Sequence, residues 1–148
     1  MAWRYLIVAV LLAGAGAARA DAQRSHIGLH GAYNFDLDHA AIGAQVHIPV
    51  SRSVELYPSF DYYFLDAGTL LGLNGDIKVH APGSPFYLGG GLSVLRAGNG
   101  TTNTDTGFNL FGGFESRYGQ THPYVEVRGI FHDRTSLQVA VGINVTLF

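Results

Sequence analysis

A short segment near the carboxyl end, HDRTS, contains three side chains of the types that a hydrolase uses. His132, Asp133 and Ser136 would supply a general base, an acid and a nucleophile. The same five residues are rich in turn formers, and they lie between two segments of alternating apolar residues. A hairpin turn accounts for the segment more simply, and we therefore predict that the protein is not an enzyme.

Histidines form a second group of side chains with possible chemistry, at His26, His30, His47 and His80. They fall on the same face of extended segments as Glu55 and Glu126. A zinc site needs three or four ligands that converge at about 2.0–2.3 Å, and positions on separate segments do not establish such convergence. The pattern favours hydrogen-bonded histidines, with no metal and no cofactor.

Eight segments that alternate apolar and polar side chains must position these residues. In the last segment Leu137 and Val139 fall on one face of an extended chain, whereas Gln138 falls on the other. No sustained helical period is present after residue 25, and turn-forming residues separate the segments at fairly even intervals. The sequence predicts an all-β fold, and Pro58, inside the third segment, predicts a bulge there.

The first twenty residues differ from the rest and predict a secretory signal peptide. Arg4 provides a positive charge, Leu6 to Ala13 is an apolar core, and Ala18 and Ala20 form a small-residue cleavage site. The apolar core is shorter than the roughly 20 residues of a membrane-spanning helix. We therefore predict a signal peptide at 1–20 and one mature domain at 21–148.

Charge and cysteine content limit the classes of function that this mature domain could have. Without Arg4 and Arg19 it has seven basic residues against 11 acidic ones, a net charge of −4, and it has no basic run. Nucleic-acid binding is therefore disfavoured. The chain has no cysteine, which excludes disulfides and a cysteine-linked lipid anchor.

The eight charged side chains within the alternating segments all lie opposite the apolar face, and alternation alone does not say which face is outside. A soluble barrel that binds a small apolar ligand would hold the apolar face inside. The interior of eight strands is narrow, however, and the many Phe and Tyr side chains of the apolar face would crowd it. We therefore predict an eight-stranded antiparallel up-and-down transmembrane barrel with a polar, ion-paired lumen that contains Glu55, Asp61, Asp76, Lys78, Glu115, Arg117, Glu126 and Arg128.

Aromatic residues also support a membrane barrel, because they form two belts. With the amino terminus in the periplasm, Tyr62 and Phe108 lie toward the outer rim, and Phe86 and Tyr118 lie toward the inner rim. This orientation places the longest predicted loop, 97–105, outside the cell. Surface contacts are predicted within it, at Asn99, Thr101, Asn103 and Asp105.

A resemblance to a known family rests on the signal peptide and on four motifs. The motifs are YLGGGLSV, GFNLFGGFE, PYVEVRGIF and the terminal GINVTLF. In this order they resemble the small outer-membrane β-barrel proteins of Gram-negative bacteria, the OmpA/OmpX-like barrel-domain group. The resemblance implies a location in the cell outer membrane, in contact with its lipid. It also implies that periplasmic chaperones and the outer-membrane insertion machinery handle the chain, the latter through Phe148, which lies one residue out of phase with the apolar series ending at Leu147.

A monomeric barrel with a structural or surface-interaction role is the function that these observations favour. A secreted soluble barrel for an apolar ligand is the main alternative, and a narrow pore is a minor one. A lipid A-modifying enzyme is another minor alternative, because some outer-membrane barrels are lipid A deacylases that use His, Ser and an acidic residue. Those enzymes have a His-x-Ser arrangement on one strand, which HDRTS does not match.

Overall fold

A computed structural model describes residues 24–99 and 101–147. The predicted signal peptide at 1–20 and the terminal Phe148 lie outside these described residues. No helix within them is long and apolar enough to cross a membrane.

Eight antiparallel strands form a closed barrel in which each strand pairs with its neighbours in sequence, as the alternating segments predict. The first and last strands close it, with His26 opposite Thr146 and Asn34 opposite Gln138. The last strand is therefore not an edge, because its backbone groups pair with both β1 and β7. The strands are β1 (His26–Asn34), β2 (His39–Pro49), β3 (Val54–Tyr63), β4 (Thr69–His80), β5 (Phe86–Asn99), β6 (Thr101–Glu115), β7 (Thr121–Phe131) and β8 (Thr135–Thr146).

The apolar face points outward and the polar face points into the lumen, as predicted. Leu29 on β1 and Leu88 on β5 are 71% and 69% exposed, whereas Lys78 and Asn144 are 1% and 0% exposed. This is the reverse of a water-soluble protein, in which burial of apolar surface drives folding. A soluble barrel for an apolar ligand needs an apolar interior, so the geometry opposes that alternative.

The β5–β6 hairpin differs from the predicted loop at 97–105. β5 continues to Asn99, β6 begins at Thr101, and these two residues are paired. Pairing between β6 and β7 begins only at Phe108, so residues 101–107 of β6 extend beyond the end of β7. The loop prediction was wrong because alternating Thr and Asn form strands when a neighbouring strand supplies the ladder. Asn103 and Asp105 are exposed on this hairpin, and their predicted surface contacts stay a prediction.

Pro58 interrupts the ladder between β2 and β3 without forming the predicted bulge. Ser59 pairs with Gln45 and Leu56 pairs with Ile48, so the register is the same on both sides of the proline. Proline has no N–H to donate, which removes a ladder bond but inserts no extra residue.

Aromatic side chains gather near both ends of the barrel. Away from the termini, the rings of Phe108 and Phe131 stack with their centroids 4.8 Å apart. Near the termini, the centroids of Phe86 and Phe114 are 4.0 Å apart, and Tyr118 in the following turn is 88% exposed. At this same end the chain reverses direction in turns that contain Gly83 and Gly119. Both residues have a positive φ, which glycine adopts without strain.

Candidate functional site

The centre of the lumen is a buried ion-pair cluster around Arg128 of β7. Its Nη1 donates to Asp76 Oδ2 at 2.5 Å, and its Nη2 lies 2.9 Å from Glu126 Oε1. The guanidinium carbon is 4.4 Å from the centroid of the Phe111 ring. Arg128 thus has two carboxylates and an aromatic face as partners, a combination that suits the planar guanidinium.

Tyrosines complete the hydrogen bonds of this cluster. Tyr57 OH on β3 and Tyr87 OH on β5 both donate to Glu126 Oε2, at 3.2 and 3.0 Å. Lys78 Nζ lies 3.9 Å from the centroid of the Tyr87 ring. Aromatic rings therefore contact both Lys78 and Arg128. The hydroxyl groups of Tyr57 and Tyr87 donate to the Glu126 carboxylate.

A second chain of hydrogen bonds crosses the lumen from Lys78. Its Nζ donates to Glu115 Oε2 at 2.5 Å, and the same oxygen accepts from Asn144 Nδ2 at 3.1 Å. Gln45 Nε2 in turn donates to Asn144 Oδ1 at 2.7 Å. Strands β2, β4, β6 and β8 are thereby linked through side chains as well as through the ladder.

His30 extends this chain toward Asp61. Its Nδ1 lies 2.5 Å from Gln45 Oε1, and its Nε2 lies 2.6 Å from Asp61 Oδ1. Both ring nitrogens face acceptor oxygens, so the ring is placed to donate from both. Asn74 Nδ2 donates to the other oxygen of Asp61 at 3.1 Å.

Histidines surround Glu55 at the end of the lumen that holds the termini. Glu55 Oε2 lies 3.2 Å from His47 Nδ1 and 3.1 Å from His80 Nε2. The rings of His26 and His122 meet edge to face, with centroids 4.9 Å apart. Within residues 24–99 and 101–147 no group of three His, Cys, Asp or Glu side chains could hold a metal ion.

The structure brings most of the predicted lumenal residues together, with one correction. Arg117 was predicted inside, but β6 ends at Glu115, and Arg117 is exposed in the following turn. The alternation ends with the strand, so its phase no longer places a side chain in the lumen. The network contains Glu55, Asp61, Asp76, Lys78, Glu115, Glu126 and Arg128.

Amides that connect the ion pairs were absent from the set predicted from charge alone. Asn109 Nδ2 on β6, for example, donates to Asn74 Oδ1 at 2.8 Å and to Asp76 Oδ1 at 3.1 Å. These residues are in phase with the charged face, and that phase is a signal that could have identified them. The amides in the network are Gln45, Asn74, Asn109 and Asn144.

The HDRTS residues are divided between different partners. His132 Nε2 lies 3.2 Å from Ser93 Oγ on β5. Ser136 Oγ accepts from Asn34 Nδ2 on β1 at 3.2 Å, and Asp133 is exposed. These contacts tie the β7–β8 hairpin to β5 and β1, which agrees with the hairpin interpretation.

Glycines make room for the large lumenal side chains. A Cβ on Gly43 would lie 2.4 Å from His30 Nε2 and 2.4 Å from the Phe60 carbonyl oxygen. A Cβ on Gly75, on the outer face of β4, would have no atom within 4 Å.

A cavity of about 10 Å³ remains beside the ion pairs, lined by residues that include His30, Tyr124 and Arg128. This is about the volume that one water molecule needs.

Gly43→Ala is expected to destabilise the barrel by about 1–3 kcal/mol, because the added methyl overpacks against backbone. Gly75→Ala is the matched control on the outer face and is expected to change stability by less than about 1 kcal/mol. Urea unfolding of the two variants in detergent micelles measures the difference. Equal effects would show that the lumen is less tightly packed than the distances indicate.

Solved structures of low sequence identity have the same architecture. The N-terminal β-barrel domain of Pseudomonas aeruginosa OprF matches with a TM-score of 0.67 and 18% identity, over 84% of this chain and 98% of that one. Neisserial surface protein A, NspA, matches with a TM-score of 0.63 and 14% identity, over 83% and 97% of the two chains. The fold is that of an eight-stranded transmembrane β-barrel.

A designed protein also has this transmembrane-barrel fold. It comes from a study of the de novo design of transmembrane β-barrels, and it matches with a TM-score of 0.56 and 13% identity, over 84% of this chain and 95% of that one. No family model and no curated protein matches the sequence. Identities this low show a shared fold alone.

Proposed function

We propose that the protein is an integral outer-membrane barrel with a structural or surface-interaction role. The observation that carries this proposal is the distribution of polarity, with aliphatic side chains on the outside and ion pairs within. Such a surface requires lipid around it. The barrel domain of OprF and the neisserial surface protein NspA share the fold, which supports an outer-membrane location for this chain.

The lumen acts as a structural plug in this proposal. Arg128, Lys78 and the aromatic rings beside them occupy the centre of the barrel, and the cavity next to them is only about 10 Å³. Eight strands enclose just enough space for side chains. Ion pairs across this space hold opposite walls together, and we propose that the lumen does not conduct and that the protein is not an enzyme.

Biogenesis completes the proposal. The signal peptide at 1–20 would direct export, periplasmic chaperones would protect the unfolded strands, and the insertion machinery would recognise the last strand with Phe148. The termini would then face the periplasm, and the β5–β6 hairpin would face outward. The barrel would function as a monomer in outer-membrane lipid.

Extraction and gel migration test the proposed location. We expect the protein, expressed in a Gram-negative host, to leave the membrane fraction only in detergent and to migrate differently with and without boiling, because closed transmembrane barrels keep their ladder in detergent. A protein that dissolves as a monomer in plain buffer would contradict the proposal and favour the secreted soluble barrel.

Planar-bilayer recordings test the proposed plug. We expect no stable, reproducible conductance from the pure protein, because the central side chains leave no continuous aqueous path through the narrow lumen. Reproducible unitary conductance steps would instead support the narrow pore.

A further inference from the structure

Exposed charges are distributed unequally between the two ends of the barrel. At the end that holds the termini, the exposed charged side chains within the described residues are Arg24, Arg52 and Arg117. At the opposite end, exposed carboxylates outnumber the exposed arginines Arg96 and Arg134, and they are Asp36, Asp38, Asp66, Asp105 and Asp133. Because Glu55 and Glu115 at the first end project into the lumen, that rim presents positive charge to its surroundings.

An apolar groove lies beside this positive rim, on the outer face of β4 and β5. It offers about 550 Å³ of space, and its lining includes Val79, Pro82, Phe86 and Leu88. Val79, Phe86 and Leu88 are 45%, 50% and 69% exposed, so the groove is open to the membrane.

β6 pairs with β5 of the groove and ends two residues before Arg117. The Glu115 N–H, two residues before Arg117, donates to the Pro85 carbonyl oxygen at 2.9 Å. The Phe114 ring packs against Phe86 of the groove. Tyr118, next to Arg117, is 88% exposed and is of a type enriched at membrane interfaces.

We propose that this rim binds an anionic glycerophospholipid, with an acyl chain in the groove and the headgroup phosphate beside Arg117. Charge complementarity selects this occupant, because an apolar groove beside a rim of exposed arginines matches a lipid chain that ends in a phosphate. Arg24 and Arg52 add positive potential along the same rim. This inference rests on the proposed membrane location, and it further assigns the rim to the phospholipid leaflet on the periplasmic side.

Native mass spectrometry of the full protein, purified in detergent from a bacterial outer membrane, tests the proposal. With equal concentrations of phosphatidylglycerol and phosphatidylcholine, we expect about fivefold stronger retention of phosphatidylglycerol. Arg117→Gln should reduce phosphatidylglycerol retention by about fivefold, whereas Arg134→Gln at the opposite rim should leave it unchanged.

A second pair of variants tests the groove. Leu88→Ala should weaken retention of both lipids by about threefold, because it removes apolar contact area. Leu92→Ala, on the same strand and 66% exposed, lies outside the groove lining and serves as the control.

Equal retention of the two lipids by the unsubstituted protein would overturn the proposal, as would equal losses in Arg117→Gln and Arg134→Gln. The two-lipid comparison decides the question even where a variant does not fold. Gel migration before and after boiling is recorded on the same samples. A barrel that shifts on boiling but shows no lipid preference would refute the lipid site and leave the proposed outer-membrane function standing.

Discussion

Arg128→Met is expected to destabilise the barrel by about 3–5 kcal/mol, because it leaves two buried carboxylates without their cation. Asp76 and Glu126 are 3% and 2% exposed, and both contact the guanidinium within 3 Å. Methionine has a similar length and creates little cavity, so the loss reports mainly on charge. Urea unfolding in detergent micelles, followed by gel migration, measures it.

Arg117→Met is the matched control, since the sequence places both arginines on the same face and only the structure separates them. Arg117 is exposed beyond the end of β6, and its replacement is expected to change stability by less than about 0.5 kcal/mol. Adding Asp76→Asn and Glu126→Gln to Arg128→Met should restore part of the lost stability, because the two carboxylates left without a cation are then neutral amides. Equal effects of the two single variants would refute the assigned lumenal cluster.

Leu110→Arg is expected to destabilise the barrel by about 2–4 kcal/mol in a lipid bilayer, because the substitution places a charge among acyl chains. Leu110 lies on the outer face of β6, between Phe108 and Phe114, and is 57% exposed. On a water-soluble barrel, arginine at such an exposed position would cost almost nothing. Equilibrium unfolding in phospholipid vesicles therefore separates the two environments.

Thr104→Arg is the control on the same strand. Thr104 is exposed in the part of β6 that extends beyond β7, and arginine there is expected to change stability by less than about 0.5 kcal/mol. A small effect at both positions would mean that water, rather than lipid, covers the outer face.

Strand phase was predictable because side chains alternate strictly along an extended chain. Leu137 and Val141 of β8 point outward and Gln138 points into the lumen, as the alternation in the sequence predicts. The prediction of side-chain direction from strand phase fails where a strand ends, because side chains do not alternate in a turn. Arg117 shows this at the end of β6, and residues 97–105 show the converse, because pairing extends the strands into a segment of turn-forming residues.

Amino-acid order alone determined the all-β class, the number of strands and the polarity of each face, since these depend on a two-residue period within each strand. Partners across the lumen depended on the closed barrel. Tyr57 and Glu126 are 69 residues apart and lie on β3 and β7, yet they share a hydrogen bond of 3.2 Å. Closure brings the side chains of distant strands into one narrow space, and the register of every strand sets the height at which they meet. A local sequence pattern contains neither the closure of the barrel nor the register of its strands. The hydrogen-bond partners across the lumen could therefore be identified only from the tertiary structure.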